Sequence, residues 1–428
     1  MNIVNDMLDN IEIPKFALIN QNFETEKLDN LEENIDNQFK EETIKTRIKP
    51  GQKIGITVGS RGISNLKEIV KAVCRNIKEL GAEPIIIPSM GSHGGATAEG
   101  QKHVVEELGV TEGYTGATIL SSMEVIKLGM CSMGFPVYYD KTASELDGII
   151  LLNRVKAHTD IDGDIESGLH KMIAIGLGNH VGATIVHEKG MDKASPRIKS
   201  CGKFVLDNAN IIFGVAILEN AFDETSHIEF IPTEDIYERE PILLAKSKEQ
   251  LPKFHFNDID VLIVDYIGKN ISGDGMDPNI IGRGMIGFKN KEIRIKYIAA
   301  LNLTMETMTS AVGIGLADVT TRKVYDKMEF EPTYANVITA IAINGAKIPI
   351  VMDNDKKAIQ LAIKVCCADS SKDLRIVRIK DTLSLKNIMI SEALKKDVEK
   401  NTNITKISEF KDLEFNSNGN FIETIKQH

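Results

Sequence analysis

Apolar and polar residues follow each other along the chain in blocks that predict strands and helices in turn. The segment KIGITVGS (residues 53–60) is a short apolar run that ends in Gly and Ser, which is typical of a buried strand. From residue 65 to residue 80 the apolar positions recur at helical spacing, and the run stops at Gly81. The same order repeats in EPIIIPSM and AEGQKHVVEELGV, which predicts parallel strands joined by right-handed crossovers.

Later segments extend this pattern. The runs DGIILLNRV (147–155) and IIFGVAIL (211–218) predict two more buried strands. Between them, residues 158–190 form a long stretch that is interrupted by glycines and is interpreted as loop. A polar, proline-containing stretch then leads into a fresh strand, VLIVDYIG, which indicates a domain boundary near residue 254.

The predicted fold class is α/β, with two α/β domains, mostly parallel sheets and an active-site cleft between the domains. Residues 1–254 are expected to form the N-terminal domain and residues 255–399 the C-terminal domain. The polar tail, residues 400–428, is expected to pack on the first domain or to fray.

Composition narrows the classes of function. The formal net charge of −10 disfavours nonspecific binding to nucleic acid or anionic membranes, and 5% aromatic residues without Trp disfavour a base-stacking platform. No apolar run is long enough for a membrane span, and the N-terminus does not resemble a secretory signal. Five cysteines without a CxxC spacing fit a reducing compartment, so we expect a cytoplasmic protein.

Two glycine-rich segments follow predicted strands, at the strand ends where α/β proteins bind ligands. In TVGSRGIS, Ser60 and Arg61 could hold a carboxylate or phosphate, although for that segment alone an ordinary strand-to-helix turn with a surface Arg is the favoured interpretation. In MGSHGG, His93 lies between Gly91 and Gly94, and a neutral imidazole there suits proton transfer close to a ligand.

The stretch from residue 153 to residue 190 concentrates further candidate chemistry. Within residues 158–187 it carries five histidine or lysine side chains without any zinc signature such as HExxH, which suggests acid/base residues and a possible metal ligand. They are His158, His170, Lys171, His180 and His187. In the second domain, the segment GKNISGDGMDPNIIGRG (268–284) follows a strand and is interpreted as a ligand-capping loop, with four polar candidates: Asp274, Asp277, Asn279 and Arg283.

Taken together, these segments resemble the nickel-dependent lactate racemase family. The match is to GSRGI, MGSHGGATAEGQ and NRVKAHTDIDGDIESGLHKMIAIGLGNHVGATIVH, and it continues more weakly through GKNISGDGMDPNIIGRG and TYANVITA. The resemblance covers most of the chain from about residue 50 to residue 350. Val58 stands where the archetype has an acidic residue and the chain has no Trp, so the substrate side of the match is weaker.

The resemblance implies a cofactor and a set of roles. The cofactor is a nickel-pincer nucleotide, a pyridinium thioamide/thiocarboxylate mononucleotide that holds Ni(II) through one carbon and two sulfurs. Lys171 matches the lysine that forms the thioamide, and His187 matches the histidine that completes a near square-planar nickel site. His93 and His158 match the two acid/base histidines, and Arg61 matches the arginine that faces the substrate carboxylate. Cofactor contacts are further expected at Ser60, Arg61, Gly94 and Gly168.

These roles imply an isomerase that takes a hydride from a small 2-hydroxy acid and returns it to the other face of a planar keto acid. Two faces call for two proton-transferring groups, which accounts for two histidines. The expected partners are that substrate and the enzymes that build the cofactor, and an oligomer remains open. The alternatives are a related hydride-shuttling enzyme and a non-catalytic protein that binds an anionic small molecule. An NAD-dependent dehydrogenase is disfavoured because no GxGxxG follows a predicted strand.

Overall fold

The structure is a computed structural model that describes residues 3–23, 26–288 and 292–427. The chain divides into two compact units. One is Glu24–Leu251, called here the central unit, and the other combines Met1–Phe23 with Pro252–His428, called here the split unit.

The strands and helices alternate through both units. The strands are β1 (Phe16–Gln21), β2 (Lys53–Val58), β3 (Glu83–Pro88), β4 (Thr118–Ile119), β5 (Val125–Met130), β6 (Pro136–Asp140), β7 (Gly148–Arg154), β8 (Ile211–Glu219), β9 (Thr225–Pro232), β10 (Asp258–Val264), β11 (Arg283–Gly284), β12 (Gly287–Phe288), β13 (Arg294–Ala300), β14 (Val319–Thr321), β15 (Ile350–Met352), β16 (Ile376–Ile379), β17 (Asn387–Ser391) and β18 (Ile404–Lys406). The α-helices are α1 (Ile3–Asp6), α2 (Leu31–Lys40), α3 (Glu42–Lys45), α4 (Leu66–Glu79), α5 (Ala98–Glu107), α6 (Glu112–Thr115), α7 (Lys141–Ser144), α8 (Leu169–Lys171), α9 (Asn179–His187), α10 (Ala194–Asn208), α11 (Ile236–Glu249), α12 (Pro278–Ile281), α13 (Arg322–Lys327), α14 (Phe330–Thr339), α15 (Asp355–Lys364) and α16 (Lys395–Lys400). A π-helical turn spans Met172–Gly176, and short 3-10 turns lie at Gly94–Ala96, Met191–Lys193, Thr233–Asp235, Ile314–Leu316, Ile343–Ala346, Ser371–Asp373 and Glu392–Leu394. None of the helices formed by the described residues is long and apolar enough to cross a membrane.

The central unit is built on a six-stranded sheet in the order β4-β3-β2-β7-β8-β9. All neighbours are parallel except β8 and β9, which are antiparallel. Successive side chains of a strand point to opposite faces, so Ile86 joins one apolar cluster while Ile85 and Ile87 join another. The sequence patterns predicted β2, β3, β7 and β8 and the helices α4 and α5 between them, and these predictions are confirmed.

The split unit contains an eight-stranded sheet in the order β15-β14-β13-β10-β16-β17-β1-β18. Its first five strands are parallel, and β17, β1 and β18 are antiparallel to their neighbours. An α/β fold with two mostly parallel sheets is therefore confirmed.

The division of the chain corrects the expected domains, 1–254 and 255–399. Residues 16–21 form β1, which lies between β17 and β18, and its backbone hydrogen bonds therefore bring the N-terminal segment into the split unit. The tail after residue 400 was expected to pack on the first domain or fray. It belongs instead to the split unit, where β18 pairs with β1 and Arg378 contacts Phe421 at 3.4 Å from the ring centroid.

The stretch interpreted as a long loop is largely helical, which is a second correction. It runs through α8, the π-helical turn and α9, with a left-handed residue, Asn179 (φ 50°), at the start of α9. Its glycines permit close packing: a Cβ at Gly176 would lie 2.8 Å from the Ser89 carbonyl oxygen, and one at Gly178 would lie 2.6 Å from the carbonyl oxygen of Ala174. These two glycines therefore mark crowded backbone, and Gly178 also lies in the short turn before α9.

Candidate active site of the central unit

The strand order places the candidate residues at one edge of the sheet. From β2 the chain moves outward through β3 to β4, and it later returns to the other side of β2 as β7 and continues to β8. The carboxyl ends of β2 and β7 therefore flank the point where the winding direction reverses, which is where ligands bind in open α/β sheets. Ser60, His93 and His158 follow β2, β3 and β7, respectively.

The first contact joins two of these strand ends. Ser60 Oγ lies 2.5 Å from His93 Nδ1, so the hydroxyl and the imidazole form a hydrogen bond between the loop after β2 and the loop after β3. Ser60 is partly exposed and His93 is exposed. The Ser60 contact holds Nδ1 and makes Nε2 the ring nitrogen suited to proton exchange with a ligand.

The loop that carries Arg61 is held by a backbone hydrogen bond at Ser64, while the Arg61 side chain is exposed. The Ser64 N–H donates to Glu219 Oε1 at 2.7 Å, and the other oxygen of that carboxylate forms an ion pair with Arg154 at the end of β7. Glu219 is only 9% exposed, so this link is shielded from water. Arg61 itself stays accessible to a soluble anion.

The loop after β2 and the loop after β3 both pack against the π-helical turn that follows Lys171. A Cβ at Gly91 would lie 2.9 Å from Ile175 Cγ2 and 3.4 Å from Ala183 Cβ. A Cβ at Gly59 would lie 3.4 Å from Met172 Cε. The loops of Ser60 and His93 therefore contact the same helical stretch that carries Lys171.

The ring of His158 is held by its own turn. Its Nδ1 accepts hydrogen bonds from the backbone N–H groups of Asp160 (3.0 Å) and Ile161 (3.2 Å). The backbone N–H of His158 donates to Glu166 Oε2 at 2.7 Å, and Lys248 donates to the other oxygen of that buried carboxylate at 2.6 Å. Because Nδ1 accepts two bonds, the neutral ring carries its proton on Nε2.

Lys171 ends α8 in an environment that favours the neutral amine. Burial, followed by the cations of Lys156 and then Arg61, lowers the pKa of its amino group to about 7 against an opposing effect of Asp160. The residue as a whole is partly exposed, so a reagent or ligand can reach it. A lysine amine that is about half neutral near pH 7 is a competent nucleophile.

His187 ends α9 and is likewise held neutral. Burial, followed by the positive charge of Lys171, lowers the pKa of its imidazole to about 4. A neutral imidazole is the form that binds metals. The structure thus couples Lys171 electrostatically to His187 as well as to Arg61, although Lys171 and His187 are sixteen positions apart in the sequence.

Two buried polar groups fix the helical path between these residues. Asn179 is fully buried and donates from Nδ2 to Asp140 Oδ2 at 2.8 Å and to the Ser122 carbonyl oxygen at 3.2 Å. Arg197 of α10 donates to the carbonyl oxygens of Ile185 (2.5 Å) and Val186 (3.1 Å), directly before His187. A cation on the last carbonyls of a helix stabilises its end, so Arg197 sets where α9 delivers His187.

The remaining candidates have mainly local tasks. Gly94 has a left-handed backbone (φ 65°), and a Cβ there would lie 2.6 Å from the backbone nitrogen of Gln101. Gly168 precedes α8, where a Cβ would lie 2.1 Å from Glu240 Oε1. His180 is exposed, and His170 is fully buried beside Glu240. Cofactor contacts at the two glycines stay predictions.

Sequence reasoning missed several residues of this site. Lys156 and Asp160 act electrostatically on Lys171, and Glu166 anchors the turn of His158. Lys156 and Asp160 lie within two residues of His158, so their position after β7 was a usable signal. Glu240 and Arg197 come from distant helices, and no local pattern marks them.

The predicted capping loop of the split unit has structural contacts of its own. Asp277 accepts the Asn279 N–H at 2.8 Å and caps α12. Arg283 donates to Asp318 Oδ2 at 2.8 Å and to the carbonyl oxygens of Ile295 and Lys296 at 2.8 and 2.7 Å. Asp274 is 1% exposed. A capping role for this loop therefore stays a prediction.

Comparison with known proteins gives a match in the same part of the chain. Residues 10–197 match the lactate racemase N-terminal domain. Among solved structures, the lactate racemase apoprotein from Thermoanaerobacterium thermosaccharolyticum aligns with a TM-score of 0.49 and 12% identity, over 91% of this chain and 96% of that one. No curated protein matches the sequence.

Proposed function

We propose that this chain is a racemase or 2-epimerase of a small 2-hydroxy acid that uses a lysine-tethered nickel-pincer nucleotide. The match of residues 10–197 to the lactate racemase N-terminal domain supports the proposal. The observation that carries the proposal is the pair of Lys171 and His187. Burial is the main cause that lowers the pKa of Lys171 to about 7 and that of His187 to about 4, and the positive charge of Lys171 contributes to the shift of His187.

The chemistry of the cofactor fits this pair. A thioamide bond forms from a neutral amine, which Lys171 supplies near neutral pH. Nickel(II) takes a neutral imidazole, which His187 supplies over the whole physiological range. Among the described residues no cluster of three or more His, Cys, Asp or Glu side chains forms a metal site, and the proposal needs one protein ligand only. When bound, the cofactor would supply an electron-poor ring that takes a hydride and returns it.

The other residues are assigned to the substrate. Arg61 is an exposed cation near Lys171, and its planar guanidinium would hold the carboxylate of the hydroxy acid in two hydrogen bonds. His93 would take the hydroxyl proton on Nε2, while Ser60 holds Nδ1. Hydride loss from C2 is easier once the hydroxyl proton has a base.

His158 is proposed as the second histidine at the reacting carbon. With Nδ1 held by two backbone N–H groups, its neutral ring donates a hydrogen bond from Nε2 to the substrate oxygen. To accept a proton on Nε2, the ring would first have to move its own proton to Nδ1, which requires the turn at residues 158–161 to open. In this scheme His93 therefore starts as a proton acceptor at Nε2, whereas His158 starts as a hydrogen-bond donor at Nε2.

The proposal is tested by intact mass and nickel content after co-expression with the enzymes that build the cofactor. We expect the added mass of the mononucleotide on the peptide that contains Lys171, with about one nickel per chain. Lys203→Ala is the matched control, because Lys203 is an exposed lysine paired with Asp207 on α10. It should keep the adduct, whereas Lys171→Ala should lose it.

An unmodified mass without nickel would contradict the proposal. A protein that binds an anionic small molecule without chemistry would then be the better hypothesis. The two are separated by interconversion of the two C2 configurations of 2-hydroxy acids, measured by chiral chromatography, which the racemase catalyses with its cofactor and the binding protein does not catalyse.

A further inference from the structure

A buried pair of polar side chains, His170 and Glu240, lies directly before the proposed tether. His170 is 0% exposed and Glu240 is 1% exposed, and His170 Nδ1 lies 2.5 Å from Glu240 Oε2. The same oxygen accepts the backbone N–H of His170 at 2.9 Å. One carboxylate from α11 thus holds both the side chain and the backbone of the residue that precedes Lys171.

Glycines make room for this pair on two sides. A Cβ at Gly168 would lie 2.1 Å from Glu240 Oε1, and a Cβ at Gly202 on α10 would lie 2.4 Å from His170 Cδ2. Tyr237 contacts the imidazole edge-on, with ring centroids 5.8 Å apart. The pair is therefore enclosed by α8, α10 and α11, and α8 begins where the carboxylate lies.

The unsatisfied polar atoms of this pair indicate that it holds α8 in position and does not mainly add stability. Glu240 Oε1 and His170 Nε2 are buried without a hydrogen-bond partner in the described part of the chain. A buried polar pair with unsatisfied atoms adds little net stability compared with apolar side chains of similar volume, whereas loss of one partner alone leaves the other buried without a hydrogen bond and is destabilising. What the pair does supply is a fixed position for the first turn of α8, whose last residue is Lys171.

We propose that Glu240 is a positioning residue for Lys171: through His170 it fixes α8 so that the amine stays in its water-poor environment close to His187. The proposal rests on the proposed function only for the identity of the group that Lys171 binds. The position of the amine itself is a property of the protein without cofactor.

The test uses the full chain without cofactor and measures acylation of individual lysines at pH 7.5 by peptide mass mapping. A lysine amine released into water is only about 0.1% neutral at this pH, whereas one with a pKa near 7 is mostly neutral. In Glu240→Gln we expect the acylation rate of Lys171, relative to the other lysines, to fall by at least about fivefold.

Glu229→Gln is the matched control. Glu229 forms an ion pair with Arg239, the residue next to Glu240 on α11, at 2.6 Å. That variant should lose stability without changing the relative acylation of Lys171. Both variants are compared at a temperature at which each is folded by circular dichroism.

An unchanged rate in Glu240→Gln, or an equal fall in Glu229→Gln, would overturn the positioning role. If Glu240→Gln does not fold, Glu240→Asp replaces it, because the shorter side chain withdraws the carboxylate from His170 but keeps its charge. Failure of the proposed function appears separately, as wild-type protein that carries no adduct after co-expression.

Discussion

The two halves of the candidate site are built differently. Lys171 and His187 lie on two successive helical segments joined by a short turn, with buried groups at the start, middle and end of this stretch: Glu240, Asn179 and Arg197. Ser60, Arg61 and His93 lie in loops after strands, where His93 and Arg61 are exposed. In the first half burial sets the charge of the reactive groups. In the second half the groups keep contact with water.

The difference suits the two proposed tasks. A tether and a metal ligand are occupied throughout the life of the loaded protein, so they gain from a rigid, water-poor setting that keeps them neutral. A substrate that enters and leaves needs an accessible cation and an accessible base. The contacts in the loops, such as Ser60 with His93, only orient the side chains.

The largest effect is expected at the tether. Lys171→Met should abolish the adduct and also stabilise the protein without cofactor, because the lowered pKa means that the folded state holds the charged amine unfavourably. This penalty is present in full below about pH 7 and disappears as the pH rises toward the ordinary lysine pKa. We expect a gain of about 1–3 kcal/mol at pH 6 and a smaller gain at pH 9, measured by denaturant unfolding.

A gain that is equal at the two pH values would contradict the charge-based explanation. A loss of stability at both would show that packing by the lysine chain outweighs the electrostatic cost.

The next largest effect is expected in the exposed half. His93→Gln should keep the adduct and nickel but lower kcat by about 10²–10⁴-fold, the usual worth of a general base. His158→Gln should also keep the cofactor, and it should slow turnover by a similar order because the oxygen loses its donor. Cofactor content by mass and kcat on a panel of 2-hydroxy acids would check both, and full activity in both variants would exclude the two-histidine scheme.

A smaller effect is expected at Arg197, which anchors the end of α9. Arg197→Met removes the donors to the carbonyls of Ile185 and Val186 and should loosen the position of His187. Groups that orient a metal ligand are typically worth about 10–100-fold in metal affinity, and we expect the lower end of that range. Nickel retention during dialysis against a chelator would measure it. Arg239→Met, which breaks an ion pair on α11 away from α9, is the control and should retain nickel.

The smallest effect is expected at Ser60. Ser60→Ala removes one hydrogen bond to His93 Nδ1 and should lower kcat by about 3–10-fold, in line with a bond worth roughly 1 kcal/mol. Ser92→Ala changes the residue next to His93 without touching that contact and should leave kcat unchanged. Equal losses in the two variants would mean that loop order, and not the Ser60 contact, is responsible.

The sequence predicted the strands whose pairing needs no distant information. Strands β2, β3, β7 and β8 are buried on both faces of a parallel sheet and therefore consist of continuous apolar runs. The strand β1 was missed because its partners, β17 and β18, lie at the other end of the chain. The helix α9 was missed because Gly182 was taken as a turn residue, although it serves backbone packing against Ala174.

The candidate site, like the fold, was predicted from the sequence only in part. Residues of recognisable type in glycine-rich segments, such as His93 and Lys171, were identified from the sequence. The residues that hold them in place were not, because Arg197 and Glu240 are ordinary charged positions of amphipathic helices until the tertiary contacts are known. Charge states set by burial, as in His187, also depend on the folded structure.

The position of β1 has a consequence for the order in which this protein can be made. The strand is translated before the whole central unit, and both of its neighbours, β17 and β18, are translated after that unit. The central unit contains all of its own strands and can complete its sheet during synthesis. The N-terminal segment therefore has an unpaired apolar strand while the central unit and most of the split unit are translated. During that interval the nascent chain is most exposed to aggregation and most dependent on chaperones.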